Sequence, residues 1–413
     1  MASKHTDSGR AAAESIDAPR SGRRPSLLLP IFLVVAVDVL GMTIIMPLLP
    51  FYAERLGASA AMVGAIISSF AFCTLLAGPF LGRWSDRIGR RPVLLFSQVG
   101  TFVGFLVLAN ATTLWMVFLA RMIDGATAGN LSIAQAYISD VTKPEDRAKS
   151  FAVIGIAFGL GFLVGPGISG FLSQFGYQVP IYAAAGLSLT SILGSYFLLP
   201  RREVLHERNE ANPGPGGKRL AFFDWGAYAK YFREPQLARL LAQWFCFAFS
   251  FATLISGFAL FCERRFTWNG HPFGPKEVGY VLAYSGFLGI IMQGGMVGRM
   301  VKWMGEKNVV RLGFATGAAG YVLIGLSRTV GQLLGVNTFT AIGGGGLRPA
   351  LTSLITQKAD RREQGVVIGL TQSLMSIAQI TAPLIGTELI QQHLLVVWGC
   401  WAALVSAIGL ALG

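Results

Sequence analysis

The sequence predicts an all-α polytopic membrane protein, and three observations predict it. The chain is 53% hydrophobic and only 13% charged, with a mean hydropathy of +0.55, whereas soluble domains carry about a quarter charged residues. Its apolar residues fall in runs of about 20, the length that crosses a bilayer as a helix. The basic residues between those runs are unequally shared between the two sides, as expected for an oriented membrane protein. The 51 glycines fit helices that pack closely in lipid.

Twelve spans are expected, near 27–52, 61–81, 92–110, 114–139, 150–172, 180–199, 237–262, 278–301, 308–327, 331–356, 365–388 and 394–412. Residues 1–26 are polar and rich in Ser, Ala and Arg, and read as a disordered tail. No secretory signal is expected, because the first apolar run is too long and no cleavage site follows it. The connections are short except at 201–236, where Asn212-Pro213-Gly214-Pro215-Gly216-Gly217 has the composition of a flexible linker. The chain therefore divides into a tail (1–26), a six-helix bundle (27–200), a linker (201–236) and a second six-helix bundle (237–413).

Orientation follows from lysine and arginine. One side holds the basic tail, the arginines of 82–91, Lys143, Arg147 and Lys149, the linker, the run from Arg299 to Arg311, and Lys358, Arg361 and Arg362. The other holds only Arg55, Arg264, Arg265, Lys276 and Arg328. Both termini and the linker are expected in the cytoplasm. The net charge of +13 does not indicate a nucleic-acid partner, because the charges lie in short loops and form no basic face. Cys73, Cys246, Cys262 and Cys400 fall in or beside apolar runs and read as small buried hydrophobes.

The most informative loop is Gly82-Arg83-Trp84-Ser85-Asp86-Arg87-Ile88-Gly89-Arg90-Arg91. Its two glycines permit a tight reversal between two spans. Gly298-Arg299-Met300-Val301-Lys302-Trp303-Met304-Gly305-Glu306-Lys307 repeats its glycine and basic positions, and Ala382-Pro383 repeats Gly165-Pro166 at nearly the same offset. The two halves thus read as copies of one unit, a plan that secondary transporters use.

Ionisable residues inside the bilayer are expensive and are functional candidates for that reason. They are Asp38, Arg121, Asp124, Arg348 and Glu388. Arg121 and Asp124 stand three apart and can pair on one helix face; a purely structural ion pair fits as well. Asp38, with no partner near it in sequence, is a candidate for proton coupling or for a structural hydrogen bond to a neighbouring helix. Arg348 follows four glycines, and Glu388 closes its span and also reads as a boundary residue. Gln135, like Gln293, Asn337, Gln372 and Gln379, is a candidate for a cavity wall or for a bridge between helices. Asp140 ends its span on the basic side, where a gate would sit. Gly161, Gly165 and Gly170 allow close packing around Pro166, which bends the helix.

These residues carry a resemblance. Gly82, Asp86, Arg87, Gly89, Arg90 and Arg91 resemble the signature loop of the major facilitator superfamily, with Trp84 where Leu is usual. Asp38 to Gly41 followed by Pro47 to Pro50, and Arg121 to Gly125, are similar to elements of its drug:proton antiporters. Gly161 to Pro166 with Gly170 resembles their antiporter motif, Ser169 replacing the first glycine of the closing pair. Tyr137 to Asp140, Glu145 to Ala148 and Gly343 to Ala350 resemble the tetracycline efflux branch. That branch carries an aspartate in its ninth span, whereas Gly313 to Tyr321 has no carboxylate, so metal-chelated tetracycline is not implied as substrate.

The resemblance implies proton-coupled export of amphipathic small molecules by alternating access, with Asp86 as part of a cytoplasmic latch. Uptake or facilitated passage of a metabolite is the alternative on the same fold, and a non-transporting membrane sensor is a second. No nucleophile–base constellation appears, so an enzyme is not expected. Gly165 to Gly170 fits a dinucleotide fingerprint but follows no strand, and Gly217-Lys218 lacks the remainder of a phosphate-binding loop. His5, His206, His271 and His393 form no metal cluster. No cofactor is expected. The expected partners are a small-molecule substrate, protons as coupling ion and the lipid bilayer, for a monomer in the plasma (inner) membrane.

Overall fold

The computed structural model describes residues 28–141, 147–199, 230–359 and 364–413. Apart from one short hairpin, the described chain is helical. Before residue 200 come α1 (Leu28–Arg55), α2 (Ala60–Ile88), α3 (Arg90–Ala109), α4 (Leu114–Thr127), α5 (Asn130–Val141), α6 (Arg147–Leu172) and α7 (Gln178–Leu198). After residue 230 come α8 (Pro235–Arg265), α9 (Pro275–Ile291), α10 (Val297–Met304), α11 (Glu306–Leu326), α12 (Val330–Gly344), α13 (Leu347–Lys358), α14 (Gln364–Gln391) and α15 (Leu395–Ala411). One π-helical turn, Met292–Met296, joins α9 to α10.

Nine spans among the described residues are long and apolar enough to cross a membrane, where the sequence led us to expect twelve. The difference has a physical cause. The run at 114–139 breaks at Ala128-Gly129 into α4 and α5, and the run at 331–356 breaks at Gly345-Gly346 into α12 and α13. The last run forms an apolar helix of 17 residues. The surface agrees with a lipid environment: Phe80, Trp115 and Phe197 are 65%, 67% and 74% exposed, a display that water does not tolerate over a whole surface.

The two sets of helices pack alike. In the first, α1 lies on α6 and α7, while α3 lies on α4 and α7; in the second, α8 lies on α14 and α15, while α11 lies on α15, α12 and α13. The repeated loops also match in backbone. Gly89 ends α2 and begins α3 with φ 106° and ψ 157°, and Gly305 ends α10 and begins α11 with φ 79° and ψ 158°. Only glycine adopts that region at low cost. Each donates its N–H back to the preceding helix, Gly89 to Ser85 O at 3.1 Å and Gly305 to Val301 O at 2.9 Å.

Contacts between the sets run mainly through two helix pairs, α6 with α9 and α2 with α14, with smaller contacts of α1 on α8 and α9. Across the second pair Ala61 N donates to Gln391 Oε1 at 2.9 Å and Ser68 Oγ donates to Ile380 O at 2.7 Å. A Cβ on Gly64 would stand 2.1 Å from Thr387 Oγ1. These contacts begin at the end where α1 finishes and α2 starts, away from the basic loops. Toward the basic end, Gly78, Gly82, Gly155, Gly298 and Gly369 have nothing within 4 Å of a built Cβ. The hydrogen bonds between α2 and α14 thus lie away from the basic loops.

Two local features differ from expectation. Thr267–Trp268 and His271–Pro272 pair as an antiparallel hairpin around Asn269 and Gly270, both with positive φ; Asn-Gly is the usual sequence for such a turn. Cys400 is exposed on α15, not buried; Cys246 and Cys262 are buried as expected, and all four cysteines are free.

Candidate functional site

Asp38 sits in the middle of α1, a helix that carries no other charge before Glu54. Its carboxyl faces Ser191 on α7, Gln98 on α3 and Asn130 at the start of α5. Gln98 is fully buried and donates from Nε2 to Ser191 Oγ at 2.7 Å. Three buried acceptors in this cluster, Asp38 Oδ1, Gln98 Oε1 and Asn130 Oδ1, have no hydrogen-bond partner. Buried polar atoms are nearly always satisfied, so three orphan acceptors together mark a place that takes up donors.

Beside it lies the second charged group. Arg121 and Asp124 on α4 are 9% and 7% exposed and pair at 2.8 Å. The Arg121 guanidinium also covers the Phe70 ring at 4.3 Å from its centroid, a contact that gains strength where water is excluded. The chain breaks one turn later. Ser97 on α3 bridges the break: its hydroxyl donates to Thr127 O and accepts from Gly129 N. Gly129 N also donates to Thr127 O at 2.7 Å, so the hydroxyl is a second contact for both groups and braces the break from α3. Asn130 begins α5 directly after this break, which is how it reaches Asp38.

α6 connects this cluster to the other set of helices. On one face a Cβ at Gly161 would stand 2.5 Å from Val39 Cγ1, and one at Gly165 would stand 2.0 Å from Thr43 Oγ1. Thr43 Oγ1 donates across the gap to Gly161 O at 2.9 Å. Further along the helix, Gly170 abuts Lys276 O, and Gly279 and Gly286 on α9 abut Pro166 O and Phe162 O. The glycines and proline of the motif are therefore contact points for α1, which carries Asp38, and for α9.

The signature residues were expected to form a loop, but α2 continues through Gly82 to Ile88 and only Gly89 makes the reversal; among them Asp86 pairs with Arg90, whose Nη1 also donates to Ser85 Oγ at 2.7 Å. Arg91 donates to Tyr196 O and lies over the Tyr196 ring at 5.4 Å. Arg87 is exposed, and Gly82 stands in open space.

Other candidates are not brought to the cluster. Gln135 is half-buried on α5. Arg348 is exposed on α13, with no ion pair among the described residues. Glu388 accepts from Gln392 Nε2 at 2.8 Å, a local contact near the end of α14. The side chain of Asp140 lies outside the described residues. Sequence reading missed Gln98, Asn130 and Ser191, because they come from three separate helices and no local spacing connects them.

Comparison with known proteins places these features. A family model described as Major Facilitator Superfamily matches residues 31–383 and again 296–412. The class B tetracycline resistance protein of Escherichia coli is 31% identical over 371 residues, 89% of each chain. Multidrug resistance protein 2 of Bacillus subtilis (strain 168) is 27% identical over 355 residues, 85% of this chain and 86% of its own. The solved structure of a human organic anion transporter matches with a TM-score of 0.69 at 21% identity, covering 94% of this chain and 100% of its own, which bears on the fold. With its helical membrane architecture, its matched glycine reversals and these relatives, the chain belongs to the Major Facilitator Superfamily.

Proposed function

We propose that this protein exports amphipathic small molecules from the cytoplasm in exchange for protons. Bundles at 27–200 and 237–413, joined by a linker at 201–236, rock about a site between them, with both termini on the cytoplasmic face of the plasma (inner) membrane. The likeness to tetracycline and multidrug resistance proteins supports export. The observation that carries the reading is the set of orphan acceptors around Asp38. A proton on Asp38 gives the carboxyl a donor for one of them. A protonated amine or hydroxyl on a substrate offers donors to the same atoms. Proton and substrate then compete for one cluster, which is the requirement for exchange.

Arg121 and Asp124, both on α4, are neutral as a pair, and Arg121 packs over Phe70 of α2. The two contact regions of α6 relate the position of α9 to that of Val39 and Thr43, one and five residues beyond Asp38. The pairing of Asp86 with Arg90 fits a latch at the cytoplasmic end. Metal-chelated tetracycline is not favoured as cargo: α11 has Glu306 at its start and no further carboxylate.

Proton flux in vesicles of known orientation tests the proposal. A pH gradient is imposed and a panel of lipophilic drugs and metabolites is added. At least one compound should dissipate the gradient with the intact protein and not with Asp38→Asn. If labelled solute crosses without moving protons, the antiporter reading fails and facilitated passage replaces it.

A further inference from the structure

At the end away from the basic loops, the two sets of helices differ in one connection. Residues 56–59 join α1 to α2, whereas the longer stretch 266–274 joins α8 to α9. The added length folds into the hairpin, where Asn269-Gly270 turns the chain and Trp268 pairs with His271. Phe273 N donates to Phe266 O at 3.1 Å and closes the base of the hairpin. The rings of Phe266 and Phe273 are buried beneath it, 5.6 Å apart. The hairpin is therefore fixed to the end of the second set.

Between the hairpin, α9 and α12 lies a cavity of about 490 Å³, walled by Trp268, Phe273, Tyr280, Tyr284, Val330 and Leu334. Pockets for small molecules run from about 300 to about 1,000 Å³. Tyr284 is set in place by its hydroxyl, 2.7 Å from Thr338 Oγ1 on α12. Trp268 and Tyr280 are half-exposed and offer large ring faces.

Two opposite charges line the same cavity. They are Lys276 and Glu277, consecutive residues in the first turn of α9. Lys276 has no ion pair among the described residues. Glu277 is oriented by the helix it starts, because its Oε2 accepts from Gly274 N at 2.9 Å. Its Oε1 has no hydrogen bond among the described residues. His271 is engaged locally, with Nδ1 3.0 Å from Pro272 O. The two charges cancel in sum and remain separately available. A ligand with one charge would match one of them and meet repulsion from the other. The ring faces favour a flat aromatic body, and they also attract a cation.

We propose that this cavity binds an aromatic zwitterion, with its anionic group on Lys276, its cationic group on Glu277 and its rings among Trp268, Tyr280 and Tyr284. None of these residues belongs to the Asp38 cluster, and occupancy needs neither proton exchange nor transport.

Three fluorescent probes with one ring system test it. Nε-dansyl-lysine carries a carboxylate and an ammonium, dansylglycine only the carboxylate, and dansylcadaverine only the ammonium. The full-length protein is titrated with each in detergent micelles, and energy transfer from tryptophan reports binding. Nε-dansyl-lysine should bind about three- to tenfold tighter than either single-charge probe, the effect of one charged hydrogen bond discounted for partial exposure. Lys276→Gln should erase its preference over dansylcadaverine, and Glu277→Gln its preference over dansylglycine. Glutamine at 277 still accepts from Gly274 N, so the cap on α9 is kept. Trp268→Phe keeps a ring on the wall and should lower the transfer at saturation. Equal binding of the three probes, as partition into micelles would give, overturns the proposal. So does a charge variant that keeps the wild-type preference, or unchanged transfer in Trp268→Phe. The vesicle assay decides the exporter reading separately: no gradient collapse there would leave this site standing, and lost selectivity here would leave the role of Asp38 untouched.

Discussion

A methyl group added at Gly165 should damage the protein in a calculable way. The new Cβ of Gly165→Ala would stand 2.0 Å from Thr43 Oγ1 and 2.8 Å from Thr43 Cβ. Both distances lie inside ordinary contact, so α1 and α6 must separate or Thr43 must rotate away. Overpacking of this kind costs about 1–3 kcal/mol. Rotation also breaks the Thr43 bond to Gly161 O, worth about 1 kcal/mol between membrane helices. The total is about 2–4 kcal/mol, a drop of about 30-fold to 1,000-fold in the folded-to-unfolded ratio. Thr43→Ala alone should cost about 1 kcal/mol. Together the two changes should cost less than their sum, because removing Oγ1 removes the nearest clash while the Cβ contact remains. Reversible unfolding in mixed micelles measures all four corners of the cycle. Costs that add within about 0.5 kcal/mol, the mark of independent sites, would refute the packing argument.

Three further outcomes follow. Gly89→Ala and Gly305→Ala should each cost about 1–3 kcal/mol in the same unfolding assay, since both backbones occupy a region that a Cβ resists; a marked difference between them would weaken the matched-repeat reading. Arg121→Ala should cost about 3–5 kcal/mol by leaving Asp124 buried without its partner, while replacing both with leucine should recover most of that loss. Ser97→Ala should cost about 1 kcal/mol, because the two hydroxyl contacts from α3 are lost while Gly129 N keeps its bond to Thr127 O, and amide exchange at Gly129 should speed up only modestly.

Much of the fold was legible because the bilayer imposes simple rules. Hydrophobic run length located most long helices within a few residues, although α2 runs seven residues past its expected end at 81, to Ile88, and the glycine reversals at Gly89 and Gly305 were visible as a repeated pattern. The breaks at Ala128-Gly129 and Gly345-Gly346 were not, since hydropathy runs through them and the side chain that bridges the first comes from α3. The hairpin at 267–272 was legible in principle from Asn269-Gly270 but lay in a connection read only for charge. The site divided in the same way. Asp38, Arg121 and Asp124 announced themselves as charges in apolar runs. Gln98, Asn130 and Ser191 are ordinary polar residues until folding gathers them.

The splint at Ser97 bears on how the chain is built. α4 and α5 have 14 and 12 residues, and a spanning helix needs about 20. Neither piece would be retained by a bilayer alone, yet the uninterrupted apolar sequence can enter as one rod. The hydroxyl that receives the broken ends belongs to α3, a neighbour that must already be docked. The side-chain brace on the interruption is therefore present only when α3 is docked against this pair. The acceptor cluster depends on the same docking, because Gln98 comes from the helix that carries Ser97.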